Sequence, residues 1–215
     1  MAAEEGCLGL EADPDVILAY PPARPVDRRL TLGPGGRLRS GTVLYGGSTI
    51  GARFQTGHHV VVREECEIGD DVSVWSNSVV DYGCRIGRGV KIHSNCYVAQ
   101  YTEICDEAFL APGVTIANDL YPGDPSSAEV MSGPWIGPGA QIGVNVTLLP
   151  FVRIGAGALI GAGATVARDV PDRAVAFGNP AVVRGSVDEL EDVNARIAGV
   201  PGSAARFRID RGVRR

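Results

Sequence analysis

The residues best suited to chemistry in this chain are few, and they stand at regular distances. His59, Asn77 and Asn95 follow one another at a constant step, and Gly57, Trp75, His93 and Ala111 repeat that same step. Gly113 and then Asn145 continue the first series across an interruption. An imidazole can take or give a proton near neutral pH, and a carboxamide orients polar groups without changing its own charge. If the step is one turn of a coil, the two series become adjacent outward columns. Imidazole, carboxamide and indole groups then crowd a single edge. The same spacing places Cys66, Cys84 and Cys96 at inward sites, where they are expected to pack as small hydrophobes. Cys105 falls at an outward site and is expected to be inert.

Such columns need a backbone with a beat of six. Aliphatic residues recur on that beat at Leu32, Leu38, Leu44 and Ile50, from Val62 to Ile116, and again from Ile136 to Val166; Thr56 alone breaks the series. Small or medium-sized residues recur four places later, as at Val60, Cys66, Val72 and Ser78. Six is not a multiple of 3.6, so an α-helix would scatter these side chains around its cylinder. It would also carry too many glycines. Short strands joined by sharp corners fit, with one inward aliphatic per strand and one small residue near each corner. Three hexads make one coil, and three hexads is also the step of the columns above. The hexads from Leu32 to Tyr121 and from Ile136 to Pro171 make about seven coils, a prism roughly 34 Å tall.

The rest of the chain is organised around that prism. Residues 1–31 hold Pro14, Pro21, Pro22 and Pro25 and read as a cap with a short strand near Val16–Ala19. Residues 32–171 are the repeat, interrupted at about 118–135 by a polar, proline-bearing loop that breaks the hexad. Such loops carry function, because the scaffold itself is featureless. Residues 172–215 contain a helix expected at 187–198, started by a capping box of Ser186 and Glu189 and marked by Leu190, Val193 and Ile197. An arginine-rich tail follows.

At 215 residues, 45% hydrophobic, the chain can bury a core as one domain or two small ones, and it is not a disordered composition. No apolar run approaches the roughly 18 residues needed to span a bilayer, so no membrane partner is expected. A net charge of −5 gives no reason to expect nucleic acid. No secretory signal is visible at Met1–Leu10. Five cysteines without a metal or disulfide spacing suggest a reducing compartment, so a cytoplasmic protein is expected.

The hexads Ile136-Gly137-Pro138-Gly139-Ala140-Gln141 and Ile160-Gly161-Ala162-Gly163-Ala164-Thr165 resemble those of the hexapeptide-repeat acyltransferases. That resemblance implies an all-β fold, a left-handed parallel β-helix. The left hand comes from the resemblance alone, since the general rule for parallel crossovers favours the right. It also implies a homotrimer with active sites between neighbouring prisms. The co-substrate it implies is acyl-CoA, with acetyl-CoA foremost, and no metal.

Asn118-Asp119-Leu120-Tyr121-Pro122 looks like the Asn-Asp-x-x-Pro element of family members that acylate amino groups on nucleotide-linked sugars. The galactoside and maltose acetyltransferases carry Thr-x-His-Pro there, and this chain lacks that histidine. The resemblance therefore implies an N-acyltransferase acting on a nucleotide-linked amino sugar. Asn95 matches the active-site Asn of those enzymes, and His93 stands where they often carry Gln. His93 and Asn95 are thus the expected catalytic pair, with His93 taking the proton or orienting the amine. Asn118, Asp119, Tyr121, His59 and Asn77 are expected to hold the acceptor. A backbone N–H at a coil corner is expected to meet the oxyanion. The small residues of the last coils, Gly143, Asn145, Gly161 and Ala162, leave room for a pantetheine arm. The stretch from Asp169-Val170-Pro171 to Ala176-Phe177-Gly178-Asn179-Pro180-Ala181 resembles the family's closing signature, near the adenine end of CoA. Arg168, Asn179, Pro180 and Arg184 are the expected contacts there.

Three other readings compete. Transfer to a hydroxyl of a sugar or small molecule is the nearest alternative. A γ-class carbonic anhydrase shares the fold but needs three zinc-binding histidines. The position two coils before His93 is Gly57, and the one five places after it is Val98. A non-catalytic assembly subunit is the third, and the excluded loop and Asn118-Asp119 argue against it.

Overall fold

Each hexad forms a very short strand, its first residue facing out and its second in. Lys91–Ile92 is typical: Lys91 is exposed and Ile92 fully buried. A computed structural model, which describes residues 9–190, stacks these strands into an all-β, left-handed parallel β-helix of about eight turns. The first face holds ten strands, the second eight and the third seven. Successive coils pair three hexads apart, as Ser73 with Lys91 and Val79 with Tyr97. The interior is the aliphatic column foreseen from the hexads, with Ile92, Leu110, Leu148 and Ile160 at 0% exposure. Cys66, Cys84 and Cys96 lie within it, and their thiols donate to the carbonyls of Asp81, Ala99 and Ala111. Thr56, the break in the series, is also inside. Its hydroxyl meets that of Thr42 at 2.9 Å and accepts from the Arg39 N–H, so the polar pair is satisfied.

Two insertions depart from the period, and both leave from the corner between the second and third faces. After Ala117 the chain swings out and returns at Trp135, so Glu103 pairs with Trp135 across more than one coil length of sequence. The other insertion lies near the N-terminus. Glu11–Ala12 and Ile17–Tyr20 pair with Arg37–Leu38 and Val43–Tyr45, again at an offset longer than three hexads. The segment ahead of Leu32 thus adds a turn to the seven counted from the hexads, and residues 21–30 form a strap outside it. The strap lies so close to the corner that a Cβ on Gly46 would collide with the Arg28 carbonyl. At the other end, Ala174–Gly178 runs antiparallel to Ala181–Ser186 and closes the first face. The capping box of Ser186 and Glu189 is present, on a 3₁₀ turn of Val187–Glu189. Of the helix expected at 187–198 only this turn forms among the described residues, because Leu190 is already extended; residues 191–215, with the arginine-rich tail, lie outside them. No helix among the described residues is long and apolar enough to cross a membrane.

The corners explain the polar ladder. His59, Asn77, Asn95 and Asn145 all adopt positive φ, between 55° and 61°, and Gly113 and Gly163 occupy the same column. Asn tolerates this left-handed region best among residues with a side chain. The N–H of Asn77 donates to the His58 carbonyl, that of Asn95 to Ser76, and that of Asn145 to Pro112. The column therefore has a backbone reason for its composition. We expect Asn77→Val to destabilise the protein by about 1–2 kcal/mol relative to Asn77→Gly, measured by denaturant unfolding.

Candidate active site

The corner between the first and second faces collects most of the residues singled out above. His93 follows Ile92 directly, at the point where the chain leaves the first face. It is half-buried, with the Trp75 ring 6.2 Å away on one side and Phe109 4.8 Å away on the other. Its backbone is pinned, since its N–H donates to the Leu110 carbonyl and its own carbonyl accepts from the Ser78 hydroxyl. The imidazole takes part in no hydrogen bond among the described residues, and no carboxylate orients it. Asn95 stands two places on, exposed, with His59 and Asn77 below it in the same column. Gly143 and Gly161 continue the His93 column upward, Asn145 continues that of Asn95, and Ala162 that of Ser94. These lie roughly 10–15 Å above His93 at the usual strand spacing. The expected catalytic pair and four of the expected cofactor contacts thus share one edge.

That edge also carries donors that side chains did not advertise. The first residue of each corner turn has an N–H that the sheet ladders do not use. Pro34, Pro112, Pro138 and Pro150 occupy this position without loss, as a residue lacking a donor can. At four others a side chain one coil on closes it: Asp70 accepts from Ala52, Ser76 from His58, Asp106 from Arg88 and Asp172 from Ala156, whereas the N–H groups of Asp70, Asp106 and Gln100 on the other corners meet no acceptor among the described residues. At Ser76, Ser94, Val144 and Ala162, all on the His93 corner, no acceptor among the described residues meets the N–H. For Ser94 and Val144 the sequence signal is plain, because Pro112 and Ala162, one coil downstream, have no side-chain acceptor. Ser76 gives no such signal: Ser94 stands above it and does not cap it.

The other expected acceptor-binding residues stand on a different corner, between the second and third faces. Asn118 is 8% exposed and clamps the base of the excluded loop. Its Nδ2 donates to Gln100 Oε1 at 2.8 Å and to Met131 Sδ at 3.5 Å, and its carbonyl accepts from the Ser132 N–H. Asp119 accepts from the Tyr121 N–H at 2.8 Å, a turn of its own making, and Tyr121 is 68% exposed. Behind Asn118 lies a polar network that was not foreseen. Asp81 accepts from Gln100 Nε2 at 2.7 Å and from the Tyr97 hydroxyl at 2.9 Å, with Arg63 at 3.5 Å. Glu64, fully buried, is held by Arg63 through two bonds of 2.9 and 3.1 Å. Burial works against its ionised form, yet the Arg63 hydrogen bond and nearby backbone N–H groups bring the carboxyl below its ordinary range. Buried carboxylates at what look like solvated corners are the part of the site that residue types alone do not reveal.

At the upper end, Arg168 and Pro180 line a cavity of about 450 Å³ with Val182 and Val183. Asn179 sits at the cis bond to Pro180 and is exposed. The Arg184 guanidinium lies 5.7 Å from the centre of the Phe177 ring. A larger concavity, about 780 Å³, is an open trough along the third face and contains none of the expected site residues. Its walls are exposed, mutually paired charges such as Glu67 and Arg85, 3.7 Å apart. It also holds Cys105, whose thiol burial pushes up. Size alone does not make it the site.

Residues 83–118 and 133–168 match the bacterial transferase hexapeptide family in its six-repeat form, so this part of the chain carries hexapeptide repeats. Over 134 residues it is 30% identical to a galactoside O-acetyltransferase of Lactococcus lactis, covering 58% of this chain and 65% of the relative. It is 36% identical over 107 residues to serine acetyltransferase 4 of Arabidopsis thaliana, covering 50% of this chain and 29% of the relative. The chain thus spans less than two thirds of the length of these curated relatives. Among solved structures it resembles the polySia specific acetyltransferase NeuO, with a TM-score of 0.54 over 93% of this chain and 90% of the other. At 18% identity that likeness concerns the fold.

Tyr97 gives the network a pH signature. Burial, followed by its hydrogen bond to Asp81, pushes its phenol up to about 12. A phenol that keeps its proton longer folded than unfolded contributes stability below its ordinary pKa and loses it as pH rises through the folded value. We expect stability to fall between about pH 10 and 12, and Tyr97→Phe to flatten that fall. Denaturant unfolding across this range, beside absorbance of the tyrosinate, checks it.

Proposed function

We propose that the protein is an acyl-CoA-dependent acyltransferase that moves an acyl group, acetyl foremost, to the amino group of a nucleotide-linked amino sugar. The observation that carries this reading is the His93 corner. There a half-buried imidazole, Asn95 and four N–H groups without described acceptors line one edge, and the edge narrows to Gly and Ala above them. In the reaction the neutral amine attacks the thioester carbonyl carbon. The carbonyl oxygen becomes an oxyanion, for which the Ser94 N–H is the nearest open donor in sequence to His93 and Asn95; such a donor contributes about 2.7–4 kcal/mol in known holes. The C–S bond then breaks and CoA leaves as a thiolate. The proton lost by nitrogen passes to His93 and on to the sulfur.

The way His93 is held supports this acceptor class. A hydroxyl needs a base to attack, and an imidazole serving as base is ordinarily oriented by a third group. No carboxylate orients His93 among the described residues. A sugar amine needs less help, because its neutral form is already populated near neutral pH. Asn118-Asp119 and Tyr121, on the loop, would hold the sugar. Arg168, Asn179, Pro180 and Arg184, at the closing hairpin and its cavity, would hold the nucleotide end of CoA. Transfer to a hydroxyl is the second reading, favoured by the similarity to the galactoside O-acetyltransferase of Lactococcus lactis.

His93 and Asn118 stand on different edges of one prism, so a cleft containing both requires a neighbour's edge. This supports a homotrimer with sites between prisms. The test is mass spectrometry of the protein incubated with acyl-CoAs and a panel of amino-sugar nucleotides and hydroxyl acceptors. A mass gain on an amine supports the reading, and a gain only on hydroxyls replaces it with the second. His93→Ala should lower turnover by about 10²-fold or more; a loss under about tenfold removes His93 from proton transfer. Mixing inactive His93→Ala and Asn118→Ala subunits through unfolding and reassembly should return about a quarter of wild-type activity, since shared sites regain both residues in that fraction. No recovery would place both residues in one subunit's site.

A further inference from the structure

Asn118 is the last member of a hydrogen-bond chain whose direction is set at the far end. Asp81, 7% exposed, accepts from the Tyr82 N–H at 2.8 Å, from Arg63, from the Tyr97 hydroxyl and from Gln100 Nε2. A carboxylate accepts and does not donate. Gln100 must therefore aim its Nε2 at Asp81, which leaves its Oε1 facing Asn118. Oε1 in turn can only accept, so Asn118 must turn its Nδ2 inward, toward Gln100 and the Met131 sulfur. Its Oδ1 is then the end that faces out. That oxygen accepts from no group among the described residues. No buried side-chain oxygen or nitrogen among them lacks a partner, so Oδ1 reaches solvent at the base of the loop.

We infer that Asp81 is a positioning residue for the acceptor site: acting through Gln100, it fixes the Asn118 amide so that an oxygen, and not an NH₂, is presented to the substrate. This selects an acceptor that offers an N–H or O–H at that point and disfavours one that offers a carbonyl or phosphate oxygen. The inference rests on the reading of Asn118 as a residue that holds the acceptor.

Reversing the chain tests it. In Asp81→Asn, residue 81 can donate to Gln100, so Gln100 and then Asn118 can turn over, and an NH₂ faces the substrate. The acceptor KM should rise by about tenfold or more, with the KM for acyl-CoA unchanged. Adding Asn118→Asp restores an outward oxygen, because the turned Gln100 now donates to it, so the double variant should recover the acceptor KM. Asn118→Asp alone sets a carboxylate against Gln100 Oε1 and should be worse than either. Tyr97→Phe removes a bond to Asp81 without changing polarity, so its cost should fall on stability and leave the acceptor KM alone. An unchanged KM in Asp81→Asn, an equal rise in Tyr97→Phe, or no recovery in the double variant overturns the inference. If Asp81→Asn does not fold, Gln100→Met keeps the shape and removes the polarity. A raised acceptor KM that Asn118→Asp does not repair supports the chain, and an unchanged one overturns it. A wild-type protein that acylates nothing would overturn the functional reading instead. The chain would still be judged by hydrogen exchange of the Asn118 side-chain NH₂, followed by NMR: slow exchange in wild type supports it, and free exchange there overturns it.

Discussion

A strand as short as these has no stability of its own, and everything in this protein follows from stacking such strands in strict register. Each contributes one inward side chain, worth roughly 1.5–3 kcal/mol on burial, and its hydrogen bonds run only to the coils above and below. Stability is thus a sum over neighbouring coils, as in other solenoids. A slip by one position along any face would turn an Ile92 or a Leu110 outward and its polar neighbour in. Extra residues can therefore leave only at corners, where no inward side chain is displaced. The strap of residues 21–30 and the loop that leaves after Ala117 obey this, and both use the corner between the second and third faces.

That shared corner is where the polar groups gather. A regular corner needs only a left-handed residue and a small one behind it. Here the strap and the loop cover the corner from outside and remove water from Glu64, Asp81 and Asn118. Groups so enclosed must find partners within the protein, and they do: Arg63 for Glu64, Tyr97 and Gln100 for Asp81, Gln100 for Asn118. The insertions and the network are one feature, because neither could be buried without the other.

The prism was legible because its signal repeats: position after position votes for one period, and Thr56 alone dissents. The added N-terminal turn was not, because the lengthened offset of Glu11 from Arg37 destroys the phase on which the reading depended. The site was legible in a different measure. The columns through His93 and Asn95 were placed correctly on one edge, but the Asn residues there also answer a backbone demand, a positive φ, that residue type could not separate from chemistry. Asp81 and Gln100 were missed for the opposite reason. At a corner a polar residue is ordinarily solvated, and only the covering loop, which the hexad does not describe, shows that these are not.

The three corners are built to one plan, and what distinguishes them is where the unused donors go. On the third–first corner Pro34 and Pro138 remove two, Asp70, Asp106 and Asp172 close three more, and the N–H groups of Asp70 and Asp106 themselves stay without an acceptor among the described residues. On the first–second corner closure stops after His58, whose N–H reaches Ser76. From Ser76 upward the residue one coil on is Ser94, Pro112 or Ala162, and none caps the N–H beneath it among the described residues. An exposed amide donor costs nothing in water, so nothing in folding requires these to be open. Two pairs of them beside His93, Ser76 with Ser94 and Val144 with Ala162, each one coil height of roughly 4.8 Å apart and separated by Pro112, suit an extended chain that carries carbonyl oxygens at intervals. The solenoid thus yields open donors by omission: a scaffold whose period fixes every backbone group needs only to leave out a side chain to create one.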